Sequence, residues 1–144
     1  MKKAITILIT FALILALAPA AFADNVDVFF SAGADVINSG DTGVTAEYTR
    51  VGNLAIFKQT ADGIQELADL AASGFTSSWA AFVDAMLEEY KTVSDYAATI
   101  IGTDYVLVYS VASNKDPQTT LLLIVDGEVL YDAARNINVF GFEG

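Results

Sequence analysis

Apolar and polar residues alternate strictly from Val44 to Arg50, which is the pattern of a strand with one buried face. A second strand-like run, Leu54 to Gln59, follows the dipeptide Gly52-Asn53. Because glycine readily adopts the positive φ of a tight turn, the two runs are predicted to form a β-hairpin. Upstream, the segment Asp24 to Asn38 fits either a strand or a short helix, since its apolar residues keep to neither period throughout.

A first helix is predicted where apolar residues recur at helical spacing, from Ile64 to Ala71. Asp62 and Gln65 stand three residues apart at its start, which is the spacing of a capping box. Gly74 is placed to end this helix, because a glycine after the last turn accepts the left-handed conformation of a C-terminal cap.

The strongest periodic signal is a second helix from Ser78 to Ile101, about 36 Å long at 1.5 Å per residue. Ser77 or Ser78 is predicted to cap it, and Gly102 is predicted to end it. Charged residues occupy one side of this helix, and the other side is an apolar stripe. The stripe consists of Trp79, Phe82, Val83, Met86, Leu87, Tyr90, Val93, Ala97 and Ile100.

Three further strands are predicted at Tyr105 to Ala112, Thr119 to Val125 and Glu128 to Asp132. The dipeptide Asp126-Gly127 is typical of a two-residue type I′ turn and joins the last two strands in a hairpin. The run Leu121 to Val125 is too apolar for a strand with one solvent-exposed face, which predicts a central position in the sheet.

The tail predicts either one more strand or an apolar end that awaits a partner. Its apolar residues are Ile137, Val139, Phe140 and Phe142. The predicted order of elements is therefore β-β-α-α-β-β-β. Since close strand pairs are joined by hairpins, the sheet is predicted to be mainly antiparallel. The predicted fold class is α+β, with two layers: a sheet of about five strands packed on the long amphipathic helix.

The segment Met1 to Ala23 has the features of a secretory signal peptide: two lysines, an apolar run and a small-residue region with a proline. Cleavage is predicted after Ala20 or Ala23, because an A-x-A pattern ends at each. The apolar run is shorter than the roughly 17 to 25 residues that span a bilayer. We therefore expect residues 24–144 to form a single soluble domain in the periplasm or outside the cell, without stable membrane insertion, in a bacterium.

The composition excludes several classes of chemistry. The 144 residues include no His and no Cys, so a Ser-His-Asp triad, a thiol nucleophile, cysteine-ligated metals and disulfides are all excluded. Seven basic residues against 18 acidic ones argue against nucleic-acid binding. No catalytic residue and no cofactor is predicted. A carboxylate-based hydrolase is the remaining enzymatic alternative, although pairs such as Asp84 and Glu88 fall on the polar side of the long helix.

Four tyrosines on predicted strands are the candidate binding residues: Tyr48, Tyr105, Tyr109 and Tyr131. Two arrangements are open. If they share the sheet face away from the helices, they form an aromatic platform of the kind that grips a peptide or a sugar. Otherwise they pack beneath the helices with their hydroxyls at the rim.

Oxygen-bearing side chains around a glycine-containing loop are candidates for a Ca²⁺ site. They are Asp35, Asn38, Asp41 and Glu47. Their spacing does not match that of an EF-hand loop, so no metal site is assigned.

Taken together, these observations predict an exported, non-catalytic module that binds an extracytoplasmic protein or peptide. The alternative functions are a carrier with a small-molecule pocket between sheet and helices and the carboxylate-based hydrolase considered above. A homodimer formed through an edge strand is a further expectation.

Overall fold

The computed structural model describes residues 26–139 and 141. The predicted signal peptide, Met1 to Ala23, lies outside the described residues, as do the tail residues Phe140 and Phe142. Three helices and six strands follow one another along the described chain. They are α1 (Val26–Ser39), β1 (Val44–Val51), β2 (Leu54–Ala61), α2 (Ile64–Ala72), α3 (Ser77–Ile101), β3 (Val106–Ala112), β4 (Thr120–Val125), β5 (Glu128–Asp132) and β6 (Ile137–Asn138).

The six strands form one mixed sheet in the order β1-β2-β3-β4-β5-β6. Every pair of neighbours is antiparallel except β2 and β3, which are parallel. The α+β class is confirmed, but the sheet has six strands and one parallel pair. The parallel pair was missed because β2 and β3 are not joined by a hairpin. The chain crosses over through α2 and α3 and returns in the same direction, as a parallel pair requires.

The ambiguous segment before β1 is the helix α1. Its buried residues include Phe29, Phe30, Ala34 and Ile37, which lie on one side of a helix at the spacing of 3.6 residues per turn. Phe29, which breaks the alternation of a strand, fits this helical face. The sequence left a strand and a helix open for this segment, and burial of one helical side against β1 favours the helix.

The capping box predicted at the start of α2 is wrong. Gly63 occupies the N-cap position with φ 83°, and this residue has no side chain that could form a capping hydrogen bond. The backbone N–H of Gln65 instead donates to Asn114 Oδ1 at 3.0 Å, and the Gln65 side chain bonds Asp69. Asn114, in the β3–β4 loop 49 positions away, thus accepts the capping hydrogen bond that was predicted for Asp62.

The glycines predicted to end α2 and α3 are confirmed, whereas the serine predicted to cap the start of α3 is wrong. Gly74 follows the end of α2 with φ 111°, and Gly102 ends α3 with φ 80°. At the start of α3 the N-cap residue is Thr76, and neither Ser77 nor Ser78 caps the helix. Helix ends that depend on glycine conformation were therefore easier to predict than those that depend on a side-chain bond.

Helices α1 and α3 pack on the same face of the sheet. Tyr48, Phe57 and Tyr109 are neighbours in register across β1, β2 and β3. The Phe30 ring of α1 lies 5.8 Å from the Tyr48 ring, and the Tyr90 ring of α3 lies 5.3 Å from the Tyr109 ring. Helix α2 buries its apolar side in the same core. We call this side of the sheet the inner face and the other side the outer face.

Most of the apolar stripe predicted for α3 is buried: Trp79, Met86 and Val93 are fully enclosed, whereas Leu87 and Ile100 are half-buried. The stripe also contains a buried acidic residue, Glu89. At the other end of the chain, Ile137–Asn138 pairs with β5, so the tail adds a sixth strand within the described residues. No helix in residues 26–139 is long and apolar enough to cross a membrane.

Candidate functional site

Three of the four candidate tyrosines lie on the helix side of the sheet. Tyr48 and Tyr109 belong to the inner face, and the half-buried Tyr105, which precedes β3, has its ring 5.9 Å from that of Phe30. Tyr131 pairs with Leu123 and lies on the outer face. The structure therefore brings Tyr48, Tyr105 and Tyr109 together beneath the helices and separates Tyr131 from them.

The Tyr48 hydroxyl reaches the surface, where it donates to the Asp27 carboxylate. Arg50 pairs with the same carboxylate, with Nη1 3.2 Å from Oδ1. The hydrogen bond from Tyr48 and the charge of Arg50 lower the pKa of Asp27. Burial and this bond raise the pKa of Tyr48 to about 12. This cluster joins α1 to β1, and its three groups are already paired with one another.

The four candidate calcium ligands do not converge. Asp35 lies on the exposed side of α1, Asp41 in the loop after it, and Glu47 on the outer face of β1. Both ends of the Asn38 amide are engaged by Ala46: Nδ2 donates to the carbonyl oxygen and Oδ1 accepts from the N–H, each at 2.8 Å. Within the described part of the chain no three acidic residues are placed to hold a metal ion.

Asn38 also changes the edge of the sheet. β1 is an edge strand, so its outward backbone groups offer a template for another strand. At Ala46 the Asn38 amide takes the place that a neighbouring strand would fill. This edge is therefore blocked at Ala46, near the start of β1, by the chain's own side chain.

Asp132, at the end of β5, forms a buried polar centre that the sequence analysis did not single out. Its side chain is fully buried and accepts bonds from the indole of Trp79 and from the backbone N–H groups of Ala134 and Arg135. The Arg135 side chain completes the set, with Nε 2.7 Å from Oδ2. A carboxylate satisfied on all sides anchors a turn and leaves no oxygen for a substrate.

Glu89 is the second buried acid that the sequence analysis missed. It lies in the apolar stripe of α3, is 8% exposed, and its Oε2 has no hydrogen-bond partner in the described structure. Burial raises the pKa of Glu89 to about 7. Its position three residues after Met86 and four before Val93 was a signal available in the sequence.

A groove with a cavity volume of about 580 Å³ lies between α3 and the β4–β5 turn. Its lining includes Leu87 and Tyr90, together with Glu88, Lys91 and Asp126. The groove is open to solvent, and charged side chains contribute to its lining. It does not have the enclosed apolar lining that is typical of a small-molecule carrier.

The outer face of the sheet is the remaining candidate, because none of the three described helices lies on it. On the sheet, the contiguous hydrophobic core contains inner-face residues and Leu121 at a β-bulge. Val108 and Ala112 are buried without belonging to that core, which is consistent with their outward direction. The outer face therefore has its own apolar surface.

We call this surface the outer patch. It consists of Val51, Leu54, Ile56, Val106, Val108, Leu123 and Val125. Val108 is at its centre, with Ile56 and Val125 as its register neighbours on either side. Val51 is 55% exposed, and the others except Val108 are half-buried. Five of the seven are β-branched, so they have little side-chain freedom to lose when a partner covers them.

The sequence contained a signal for this patch. β3 and β4 are apolar at successive positions and not only at alternate ones, which is the pattern of strands covered on both faces. The edge strand β1 alternates and has an exposed outer side, with Thr45, Glu47 and Thr49. The run from Leu121 to Val125 was used to predict a central strand, but not a second covered face.

No protein-family model matches this chain, and no match was found among the curated proteins or the solved structures with which it was compared.

Proposed function

We propose that this chain is an exported, non-catalytic module that binds another protein or a peptide through the outer patch. The single observation that carries the proposal is the two-sided apolar character of β3 and β4 in a sheet with described helices on one side only. An apolar patch with a polar border is a common feature of protein interaction sites. Export is supported by the signal-peptide pattern of Met1 to Ala23.

The absence of catalysis in this proposal is supported by the buried or already paired condition of several acidic and tyrosine side chains. Asp132 is enclosed by donors, the Tyr48 cluster is internally paired, and Glu89 is buried in the apolar stripe of α3. Asp84 and Glu88, the carboxylate pair considered for a hydrolase, are exposed on one helix. A glycosidase pair must flank a substrate from two sides, which two residues one turn apart on the same helix face do not do.

The test is site-specific cross-linking in the cells that produce the protein. A photoreactive amino acid replaces Val125 in the patch or, as a control, Val36 on the exposed side of α1. We expect the patch position to give an adduct with one protein and the control position to give none. The identified partner is then titrated calorimetrically with the purified chain.

Matched valine-to-threonine variants show whether the outer patch is responsible for binding the partner. The double variant Val106→Thr/Val125→Thr makes the patch polar while it keeps β-branched side chains, and Val36→Thr/Val139→Thr makes the same change at two exposed positions elsewhere. The patch variant should weaken binding about tenfold or more, since each methyl group removed contributes about 1 kcal/mol. Equal affinities for the two variants would refute the proposal.

A further inference from the structure

Three acidic residues lie at the end of the sheet where the outer patch ends, and one of them, Asp126 in the β4–β5 turn, also lines the groove against α3. Asp104 lies two positions before Val106, Asp126 directly follows Val125, and Glu128 is the register partner of Val125. The start of β3, the end of β4 and the start of β5 are at the same end of the sheet, because these strands are antiparallel. All three acids are exposed. We call them the acidic rim.

No basic side chain of the described residues pairs with the acidic rim. Arg50, Lys91, Lys115 and Arg135 each form an ion pair elsewhere, with Asp27, Asp95, Glu66 and Asp132 respectively. The fifth basic residue, Lys58, lies on the outer face directly opposite Glu47. The charge of the rim is therefore not neutralised within residues 26–139, and the whole chain has a net charge of −11.

We infer that the partner of the outer patch is a cationic amphipathic polypeptide segment, with apolar side chains that cover Val108 and its neighbours and with Lys or Arg residues that meet the acidic rim. This inference rests on the proposed function and specifies the chemistry of its partner. Complementary charge at the border of an apolar contact increases the association rate and selects against wrong partners. A second copy of this chain fits less well, because two acidic rims and two net charges of −11 would then face each other.

The experiment uses three peptides of equal length in which leucine alternates with lysine, serine or glutamate. Each presents the same apolar side, and they differ only in the charge of the other side. Binding to the purified chain is measured by calorimetry at low and at high NaCl concentration. We expect the leucine-lysine peptide to bind about tenfold more tightly than the leucine-serine peptide at low salt, and this preference to shrink as salt screens the rim.

Two variants with the same total charge show whether the preference for the lysine peptide depends on the acidic rim. Asp104→Asn/Asp126→Asn/Glu128→Gln neutralises the rim, and Asp35→Asn/Asp84→Asn/Glu88→Gln neutralises three exposed acids on α1 and α3. The rim variant should lose the preference for lysine, and the control variant should keep it. Asparagine is suitable at position 126, since it tolerates the positive φ of 53° in the turn. If the triple rim variant does not fold, Glu128→Gln alone should halve the preference or reduce it further.

The possible failures are distinguishable. If Val106→Thr/Val125→Thr weakens every peptide but wild type shows no preference for lysine, the inference fails and the proposed function stands. If both charge variants lose the preference equally, the attraction is to net charge and the inference is overturned. It is also overturned if sedimentation shows a dimer that the patch variant dissociates, because the occupant is then a second copy. If the patch variant changes no affinity, the inference and the proposed function both fail.

Discussion

The indole Nε1–H of Trp79 points at the carboxylate of Asp132, with its nitrogen 2.9 Å and 3.0 Å from the two oxygens, and both side chains are fully buried. Trp79 is in the first turn of α3, and Asp132 is the last residue of β5. The bond therefore fixes the start of the long helix to β5, near the edge of the sheet opposite β1. A tryptophan can be fully buried only where its N–H finds an acceptor, and Asp132 supplies it.

Replacement of Asp132 by alanine should be the most destabilising single change in this part of the protein. It leaves the buried Trp79 N–H and the backbone N–H groups of Ala134 and Arg135 without their acceptor, and a buried donor left unsatisfied costs about 1–3 kcal/mol. Arg135→Ala should cost less, about 1–2 kcal/mol, because three N–H donors still satisfy the carboxylate. Urea unfolding measures both. Equal losses would show that Asp132 acts only through its ion pair.

The stability of the protein should depend on pH through Glu89. Its pKa is about 7 in the fold and near 4.5 outside it, so the folded state binds the additional proton between these values. The contribution of Glu89 to the free energy of unfolding is fully present below pH 4.5, falls as the pH rises, and is lost above about pH 7. The interval corresponds to about 3 kcal/mol. Tyr90, Tyr105 and Tyr109 lie around this region and stay neutral at these pH values.

Glu89→Gln tests this dependence because glutamine has the same shape and does not titrate. We expect the variant to be more stable than wild type at pH 8 by about 3 kcal/mol, and of similar stability at pH 4. Glu88→Gln, on the exposed side of the same helix, is the control and should change little at either pH. A Glu89→Gln effect that is the same at pH 4 and pH 8 would rule out titration of this group.

Loss of the Asn38 side chain should open the edge of the sheet at Ala46. Asn38→Ala removes two hydrogen bonds of 2.8 Å and should lower the free energy of unfolding by about 1–2 kcal/mol. The specific measurement is hydrogen exchange at the Ala46 amide, which should become much faster than its neighbours. Ser39→Ala, which removes a bond within the α1 segment, is the control. Unchanged protection of Ala46 in Asn38→Ala would contradict this role.

Much of the fold could be predicted from local patterns. The hairpins at Gly52-Asn53 and Asp126-Gly127 and the long helix ended by Gly102 depend on residues that are close in sequence, and each is found as predicted. Where pairing depends on distant residues, local pattern was insufficient. The parallel contact of β2 with β3 is set by the path of two helices between them, and the cap of α2 comes from Asn114.

The candidate site shows the same division. Tyr105 and Tyr109 are four positions apart, a spacing that places two residues on the same side of a strand, and both rings lie on the helix side of the sheet. Which side faces the helices is a tertiary property, so the sequence left platform and core packing open. The outer patch was legible only as an excess of apolar residues in β3 and β4, because alternation predicts a solvent-exposed face and these strands do not alternate.

The parallel pairing of β2 with β3 affects the order in which the protein folds. The β1–β2 hairpin and the β3–β6 succession can each form from neighbouring residues, whereas Leu54 meets Val106 only when a 52-residue excursion closes. Such a distant pairing loses more chain entropy before any contact compensates for it, so we expect it to complete late in folding. Since Leu54 and Ile56 lie on one side of that junction and Val106 and Val125 on the other, the outer patch is complete only in chains that have finished this step.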